Sequence, residues 1–297
     1  MRIVVRSKVP EKQIRPWKGK HPPKEHYSFM LTESCDVYAP DGTLIVGYRR
    51  SAISKESLDQ SYDTYHYMKR FKSDNRGVYA GETRVPNVRP DGTVSKQTRT
   101  SNVSSCVAGF FEAQGGRHPF CRQTAFLQHH PEKWEAIQPC LKEVAGVFKD
   151  VAPRKYKDQM SYIEKTHPAW VIPGTPFTTL TINNCVPSAY HQDGGDLKDG
   201  MGCMLCFRKG EYSGFELVVP EYRFAIDMRH GDVVVFNPVV WHGNVPPYAT
   251  VGEEKVDWER ITVVHYYREG ILGCDSPLGE LEKAKSRGLL EPGENND

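Results

Sequence analysis

The sequence predicts an α+β protein with a mainly β core: a double-stranded β-helix, or jelly-roll, with supporting helices packed on one face. Three observations carry this. After Pro176 the chain breaks into short β-rich runs separated by Gly, Pro, Asn and Asp, the punctuation of a sandwich or barrel. Before it lie two stretches with apolar residues at helical spacing, suited to covering one face of a sheet. Two histidines and a carboxylate, His191, Asp193 and His242, fall on or beside the β-rich runs, where the open mouth of a jelly-roll can hold all three.

The elements follow in order. Residues 1–50 read as short strands and loops, and the segment from Tyr38 to Val46 carries an Asp41-Gly42 turn between strand-like runs, a hairpin signal. A polar stretch around Lys55 to Phe71 reads as helix. From Tyr79 to Ser105 the chain is rich in Gly, Pro, Ser, Thr and Arg; it is expected to be a long loop that covers a site or touches a partner. Pro139 opens a helix, because a missing N–H costs nothing at the first helical position. Leu141, Val144, Ala145 and Phe148 then form one apolar stripe, and Tyr156, Met160 and Ile163 repeat the spacing. Strands are expected at 177–182, 201–207, 215–219, 222–226, 233–236 and 261–267, with tight turns at Ser213-Gly214 and Gly231-Asp232. The domain division expected is a basic N-terminal extension, 1–105, packed on a β-helix domain with its helices, 106–297.

Composition narrows the class. At 297 residues, 38% hydrophobic and 26% charged, the chain is long enough for a sizeable core and is not of disordered type. No apolar run approaches a membrane span, and Met1 to Arg6 lacks the apolar core of a signal peptide. Eight cysteines are scattered. The one close pair, Cys203 and Cys206, sits on an expected strand, where odd spacing sends the sulfurs to opposite faces and argues against a zinc knuckle. Reduced core thiols and an intracellular location are expected. Net charge is +2, but residues 1–100 hold 19 Lys/Arg against 11 Asp/Glu, a net of +8, and the remainder is −6. A basic half suits either a polyanion track or an ordinary solvated surface.

His191 and Asp193 are two apart, so on a strand they share a face; His242 supplies a second imidazole from a distant segment. Two histidines and one carboxylate leave positions open for a co-substrate and O2, the arrangement of non-haem Fe(II) oxygenases. The bland alternative is a pair of hydrogen-bonded core histidines. Arg260 offers a planar fork that grips a carboxylate bidentately, here the far carboxylate of 2-oxoglutarate. Thr262, two residues on, faces the same way and can donate its hydroxyl. His265 has the opposite parity and reads as structural. The keto acid and O2 together then supply an oxidant for an unactivated C–H bond.

The stretch from Thr179 to Arg268 resembles the oxygenase domain of the TET and base-J-binding-protein dioxygenases, which oxidise the methyl group of 5-methylpyrimidines in nucleic acid. The resemblance rests on Thr-Ile-Asn-Asn at 181–184, Tyr-His-Gln-Asp-Gly-Gly-Asp-Leu at 190–197, Glu-Leu-Val-Val-Pro-Glu-Tyr at 216–222 and Ile-Asp-Met-Arg-His-Gly-Asp-Val-Val-Val-Phe at 226–236. Trp-His-Gly-Asn at 241–244 and Arg-Ile-Thr-Val-Val-His-Tyr-Tyr-Arg-Glu at 260–269 complete it. Weaker similarity runs back to Arg122, and the resemblance does not extend to residues 1–100. The cysteine-rich zinc region of the animal TET enzymes is missing, as in compact microbial and viral members. The resemblance implies iron ligands at His191, Asp193 and His242, keto-acid contacts at Arg260 and Thr262, and a further one at Asn183. It places Asp196 at a base-contacting position. An ionised Asp196 would accept from the amino group of cytosine and a protonated one would donate to a thymine carbonyl; alternatively it merely caps the loop with Gly194 and Gly195.

The function expected is hydroxylation of the methyl group of a 5-methylpyrimidine in DNA by Fe(II), 2-oxoglutarate and O2, with 5-methylcytosine becoming 5-hydroxymethylcytosine. A thymine hydroxylase making 5-hydroxymethyluracil is the nearest alternative. An oxygenase acting on a protein or small molecule, and a non-catalytic reader of modified bases, stand behind it. The base must be flipped out or single-stranded to reach a buried metal, and Arg84, Arg89, Lys96 and Arg99 are candidate phosphate contacts.

Overall fold

In the computed structural model the chain is described at residues 1–286, apart from 7, 72–76, 82–84, 89–91, 100–102, 115–117 and 248–256. The described strands are β1 (Arg2–Val4), β2 (Phe29–Leu31), β3 (Cys35–Tyr38), β4 (Leu44–Arg49), β5 (Val85–Val88), β6 (Val94–Arg99), β7 (Ser105–Phe111) and β8 (Arg122–Gln123). They continue as β9 (Thr179–Asn184), β10 (Gly202–Lys209), β11 (Leu217–Val219), β12 (Phe224–Ile226), β13 (Val233–Phe236), β14 (Gly243–Asn244) and β15 (Glu259–Tyr266). A larger sheet runs β1-β3-β4-β13-β10-β15-β9-β7-β8, a smaller one β14-β11-β12-β2, and β5-β6 form a separate ribbon.

Period-2 alternation divides the large sheet into two faces. On β10, Cys203, Leu205 and Phe207 join the apolar cluster that contains Leu141, Val144, Ala145 and Phe148 of the helix Gln138–Val151. Met204 and Cys206 join a second cluster with Leu217, Val219, Phe224 and Ile226 of the small sheet. The layers are therefore helices, large sheet, small sheet, the two-sheet plan of a jelly-roll with helices on one face. Because β10 is buried on both faces, it reads as one continuous apolar run. On β15 the same parity sends Ile261 and Val263 to the helices. It leaves Arg260, Thr262, Val264 and Tyr266 on the face between the sheets.

Most expected elements lie where the patterns put them. The Asp41-Gly42 turn joins β3 to β4, with Gly42 at φ +85° and the Thr43 amide donating to the Asp41 carboxylate at 2.9 Å. The helix Lys55–Tyr67 begins at Ser54, whose hydroxyl accepts from the Ser57 amide at 3.2 Å, a side-chain cap. Pro139 sits in the first turn of its helix. Gly231, at φ +77°, makes the second of the two expected tight turns; the first is not formed, and Gly214, at φ +95°, lies in irregular chain where an added Cβ would meet the Pro246 carbonyl oxygen at 2.4 Å.

Three further expectations are corrected. Residues 79–105 are not one structureless loop: β5 and β6 pair antiparallel, Val85 opposite Arg99 and Val88 opposite Val94. Arg84 and Arg89 lie outside the described residues, as do the side chains of Lys96 and Arg99. Nor are the thiols all reduced. Cys121 and Cys274 form a disulfide between residues 153 apart in sequence, while the other six cysteines are free. No local spacing announces a pair that tertiary contact creates, and the thiol argument for an intracellular location falls with it. In the helix Pro153–Lys165, the fully buried residue is Gln159 rather than a member of the apolar stripe. Its amide donates to the Pro176 carbonyl at 2.8 Å and accepts from the Met201 amide at 3.0 Å, which anchors the start of β10. No helix among the described residues is long and apolar enough to cross a membrane.

His265 faces the helices as its parity requires. It is fully buried, donates from Nδ1 to the Cys203 carbonyl at 3.0 Å, and burial pushes its pKa down to about 4 against backbone hydrogen bonds that favour the proton. Between pH 6.5 and about 4 the unfolded chain takes up this proton and the folded chain refuses it. Stability therefore falls as pH drops through that window and levels below it. Urea unfolding at pH 7 and near pH 4.5 should show wild type losing about 2–3 kcal/mol more than His265→Leu. Equal losses would refute this account.

Candidate metal centre

Beyond Asn184, Cys185 takes a left-handed turn (φ +52°), and the chain meets the small-sheet side at a single bridge. The His191 amide donates to the His242 carbonyl and the His242 amide to the His191 carbonyl, both at 3.0 Å. This antiparallel pair sets the two imidazoles side by side, ring centroids 4.3 Å apart. Gly243 permits the approach: a Cβ there would lie 3.0 Å from the Tyr190 nitrogen and 3.1 Å from the Ala189 carbonyl carbon. Asp193 is not on a strand, as the spacing suggested. It lies in irregular chain tied by its amide to the Pro238 carbonyl at 3.0 Å, which still turns its carboxylate to the same side as His191.

Each imidazole is oriented from behind. Nδ1 of His191 lies 2.8 Å from the Ala189 carbonyl, and Nδ1 of His242 lies 2.9 Å from the Val240 carbonyl. A carbonyl only accepts, so both Nδ1 atoms carry hydrogen and both Nε2 atoms present lone pairs in the neutral rings. Those Nε2 atoms flank the Asp193 carboxylate, at 3.4 Å for His191 and 3.7 Å for His242. One donor atom from each of the three residues lies within 4.8 Å of the others. Burial, then the neighbouring His191, lowers the pKa of His242 against the pull of Asp193, which keeps its ring neutral and able to bind a metal.

The cluster opens into a cleft between the sheets. Strand parity lines the cleft with Thr181 and Asn183 of β9, Met204 of β10, and Thr262, Val264 and Tyr266 of β15. Asn183 stands opposite Thr262 in the β9–β15 register, and Ser105 donates to its Oδ1 at 2.7 Å. Arg260 shares the face of Thr262 but lies behind the cleft wall. It is 2% exposed, stacks its guanidinium 5.0 Å from the Phe215 ring, and among the described residues its Nη2 has no hydrogen-bond partner. A buried guanidinium with an unsatisfied N–H is costly, and a carboxylate is the ligand that would satisfy it. The donor set and this orphaned cation fit a divalent metal with a keto acid beside it.

A family model described as Tet_JBP, oxygenase domain of the 2OGFeDO superfamily, matches residues 105–269. The chain belongs to this family. The Tet_JBP match contains the whole His191–Asp193–His242 cluster together with Asn183, Asp196, Arg260 and Thr262. Its superfamily comprises 2-oxoglutarate- and iron(II)-dependent dioxygenases. The chain is 36% identical over 190 residues to thymine dioxygenase JBP1 of Leishmania braziliensis, covering 63% of this chain and 22% of that protein. It is 32% identical over 169 residues to thymine dioxygenase JBP1 of Trypanosoma brucei brucei, covering 57% and 19%. It thus spans about a fifth of the length of these relatives. Among solved structures, NgTET1 in complex with 5mC DNA superposes with a TM-score of 0.60 at 13% identity, covering 94% of this chain and 100% of that one, a likeness of fold.

Asp196 lines the cleft and forms an isolated antiparallel bridge with Arg268, beside Gly195 at φ +88°. Arg268 also lines the cleft, and the sequence patterns did not single it out. Parity could have found it, since Arg268 continues the 260–262–264–266 series. Its Nε and Nη2 both donate to the Glu112 carboxylate. Burial opposes the charge on Arg268, and the Glu112 hydrogen bonds outweigh it, so its pKa stands above the usual value. The two side chains are 14% and 18% exposed, so Glu112→Ala strands a largely buried cation and should cost about 3 kcal/mol in urea unfolding. The double variant Glu112→Met/Arg268→Met should cost less than the sum of the two single changes to Met. Additive losses would show that the pair is not coupled.

Proposed function

We propose that the protein is an Fe(II)- and 2-oxoglutarate-dependent dioxygenase that hydroxylates the methyl group of a 5-methylpyrimidine in DNA. The observation that carries the reading is the convergence of His191, Asp193 and His242 within 4.8 Å, in one cleft with Thr262 and with an unsatisfied Arg260 guanidinium behind it. In this reading those three residues hold the iron, and Arg260, Thr262 and Asn183 receive the keto acid. Bound together, metal, keto acid and O2 supply an oxidant able to attack an unactivated methyl group.

The rest is done by side chains. Arg260 seats the far carboxylate, and Thr262 donates its hydroxyl to it. The Ser105 hydroxyl occupies the Asn183 oxygen, so the amide N–H groups are left to donate into the cleft. Met204, Phe236 and Val264 form an apolar wall that excludes water from the reacting methyl group. A base reaches this depth only after leaving its duplex stack. Residues 1–105 are read as an extension of the β-helix domain, 106–297, since β3 and β4 prolong its larger sheet.

Two bases remain in play, each with its own support. Asp196 on the cleft wall, as an acceptor, suits the amino group of 5-methylcytosine, the base first expected. The relatives at 32–36% identity carry thymine in their names, which favours 5-hydroxymethyluracil as the product. Mass spectrometry of nucleosides, after incubation with DNA containing both bases, iron and 2-oxoglutarate, decides between them. His191→Ala and Asp193→Ala should abolish product while leaving thermal unfolding intact. Arg260→Ala should raise the 2-oxoglutarate requirement about tenfold or more, as the loss of a charge-assisted hydrogen bond implies. Undiminished product in all three variants would refute the assignment.

A further inference from the structure

Residues 17–27 form a strap for which the proposed chemistry has no use. Its backbone is clamped to both segments that carry the histidines. Gly19 donates to the Tyr190 carbonyl at 3.0 Å, and Tyr190 donates to the Lys20 carbonyl at 2.9 Å, one residue before His191. Pro22 is buried against Gly243, one residue after His242, where a Cβ would come within 3.1 Å of the proline ring. His21 Nε2 bonds the Ala80 carbonyl at 2.7 Å, and Tyr79 and Ala80 line the cleft mouth. Trp17 stacks on His26 at 3.9 Å, whose Nδ1 lies 3.2 Å from the Tyr190 hydroxyl. The strap is therefore fixed beside the Tyr79–Ala80 segment of the cleft lining.

Its packing is done by Trp17, Pro22 and the imidazoles; its cations do something else. Residues 8–27 hold six Lys/Arg against two Asp/Glu. Lys8 pairs with Glu221, and Arg15 with Glu11. Lys18 and Lys20 are exposed, and among the described residues neither has a salt-bridge partner. They project from a rigid backbone whose next hydrogen-bonded neighbour precedes a metal-site histidine. Unpaired cations held on a fixed backbone near a cleft raise the local concentration of a polyanion and fix its register.

We infer that this strap is a phosphate-contacting rim, with Lys18 and Lys20 seating the sugar–phosphate backbone of the DNA strand whose base enters the cleft. The inference rests on the reading above that DNA is the substrate. The strap lies outside the residues matched by the family model. Lysines meeting phosphate carry no base information; they govern affinity and its salt dependence, and leave the choice of methyl group to the cleft.

The test compares Lys18→Gln/Lys20→Gln with Lys149→Gln/Lys157→Gln, exposed lysines of equal charge on the helical layer. Fluorescence anisotropy follows binding to a 5-methylcytosine-containing oligonucleotide from about 50 to 200 mM salt. The strap variant should bind more weakly, with the slope of log K against log salt shallower by about 0.9 for each phosphate that a lysine no longer neutralises. The helical variant should keep the wild-type slope, and both should keep the wild-type thermal midpoint. A wild-type slope in the strap variant overturns the inference, as does an equal loss in the helical variant, which would show a net-charge effect only. A wild-type protein that holds no DNA even at low salt overturns the DNA reading itself, and the strap with it.

Discussion

Two backbone hydrogen bonds, exchanged between the peptide groups of His191 and His242, are the constraint on which the candidate metal centre depends. They join segments about fifty residues apart, one leaving β9 and one entering β14. Side chains alone could not do this. The pair fixes where both Cα atoms lie, and the carbonyls of Ala189 and Val240 then fix how the rings turn. Gly243 lets the segments pass at contact distance. A ligand set built on backbone geometry is preorganised, so metal binding need not order it first.

The second constraint is the parity of β15. One face of this strand feeds the apolar layer beneath the helices, and the other faces the cleft. A register slip of one residue would bury Arg260 and Thr262 among the helices and expose Ile261 and Val263 to the site. Antiparallel pairing on both sides, with β10 and with β9, forbids that slip. Core residues and residues of the candidate site thus alternate along a single strand, and neither set can shift without the other. His265 marks the division: a third histidine close in sequence to the site, turned by parity into the core, where burial leaves it neutral.

Much of this was legible in the sequence because period-2 patterns and glycine turns are local. Val233 to Phe236 was bounded without error, and Arg260 and Thr262 could be assigned to one face by counting. Where the patterns misled, the cause was non-local. The Cys121–Cys274 bond joins residues 153 apart. The burial of Gln159 depends on Pro176 and Met201, which no helical wheel contains. The ribbon of β5 and β6 hid in a segment whose Gly, Pro and Ser content resembles a loop. Even the His191–Asp193 pairing was right for a reason only partly so: the residues share a side because of a bridge and a tied loop, since no strand runs through them.

Arg260 poses the sharpest electrostatic question, because a buried guanidinium should seek the nearest carboxylate. Its immediate neighbour in sequence, Glu259, carries one. Strand alternation turns Glu259 to the opposite face, where its oxygens accept from the Tyr62 hydroxyl at 2.5 Å, the Asn184 amide at 2.7 Å and His66 Nδ1 at 2.8 Å. Burial alone would raise the pKa of Glu259; these hydrogen bonds, led by Tyr62, outweigh it and hold the carboxyl below its usual value. Tyr62 and His66 come from the helix Lys55–Tyr67, outside the family match, so the N-terminal part of the chain holds this acid in place. Glu259 is thus withheld from Arg260 by two geometries acting together. Alternation separates the charges, and a saturated partner on the far side removes any gain from bringing them back.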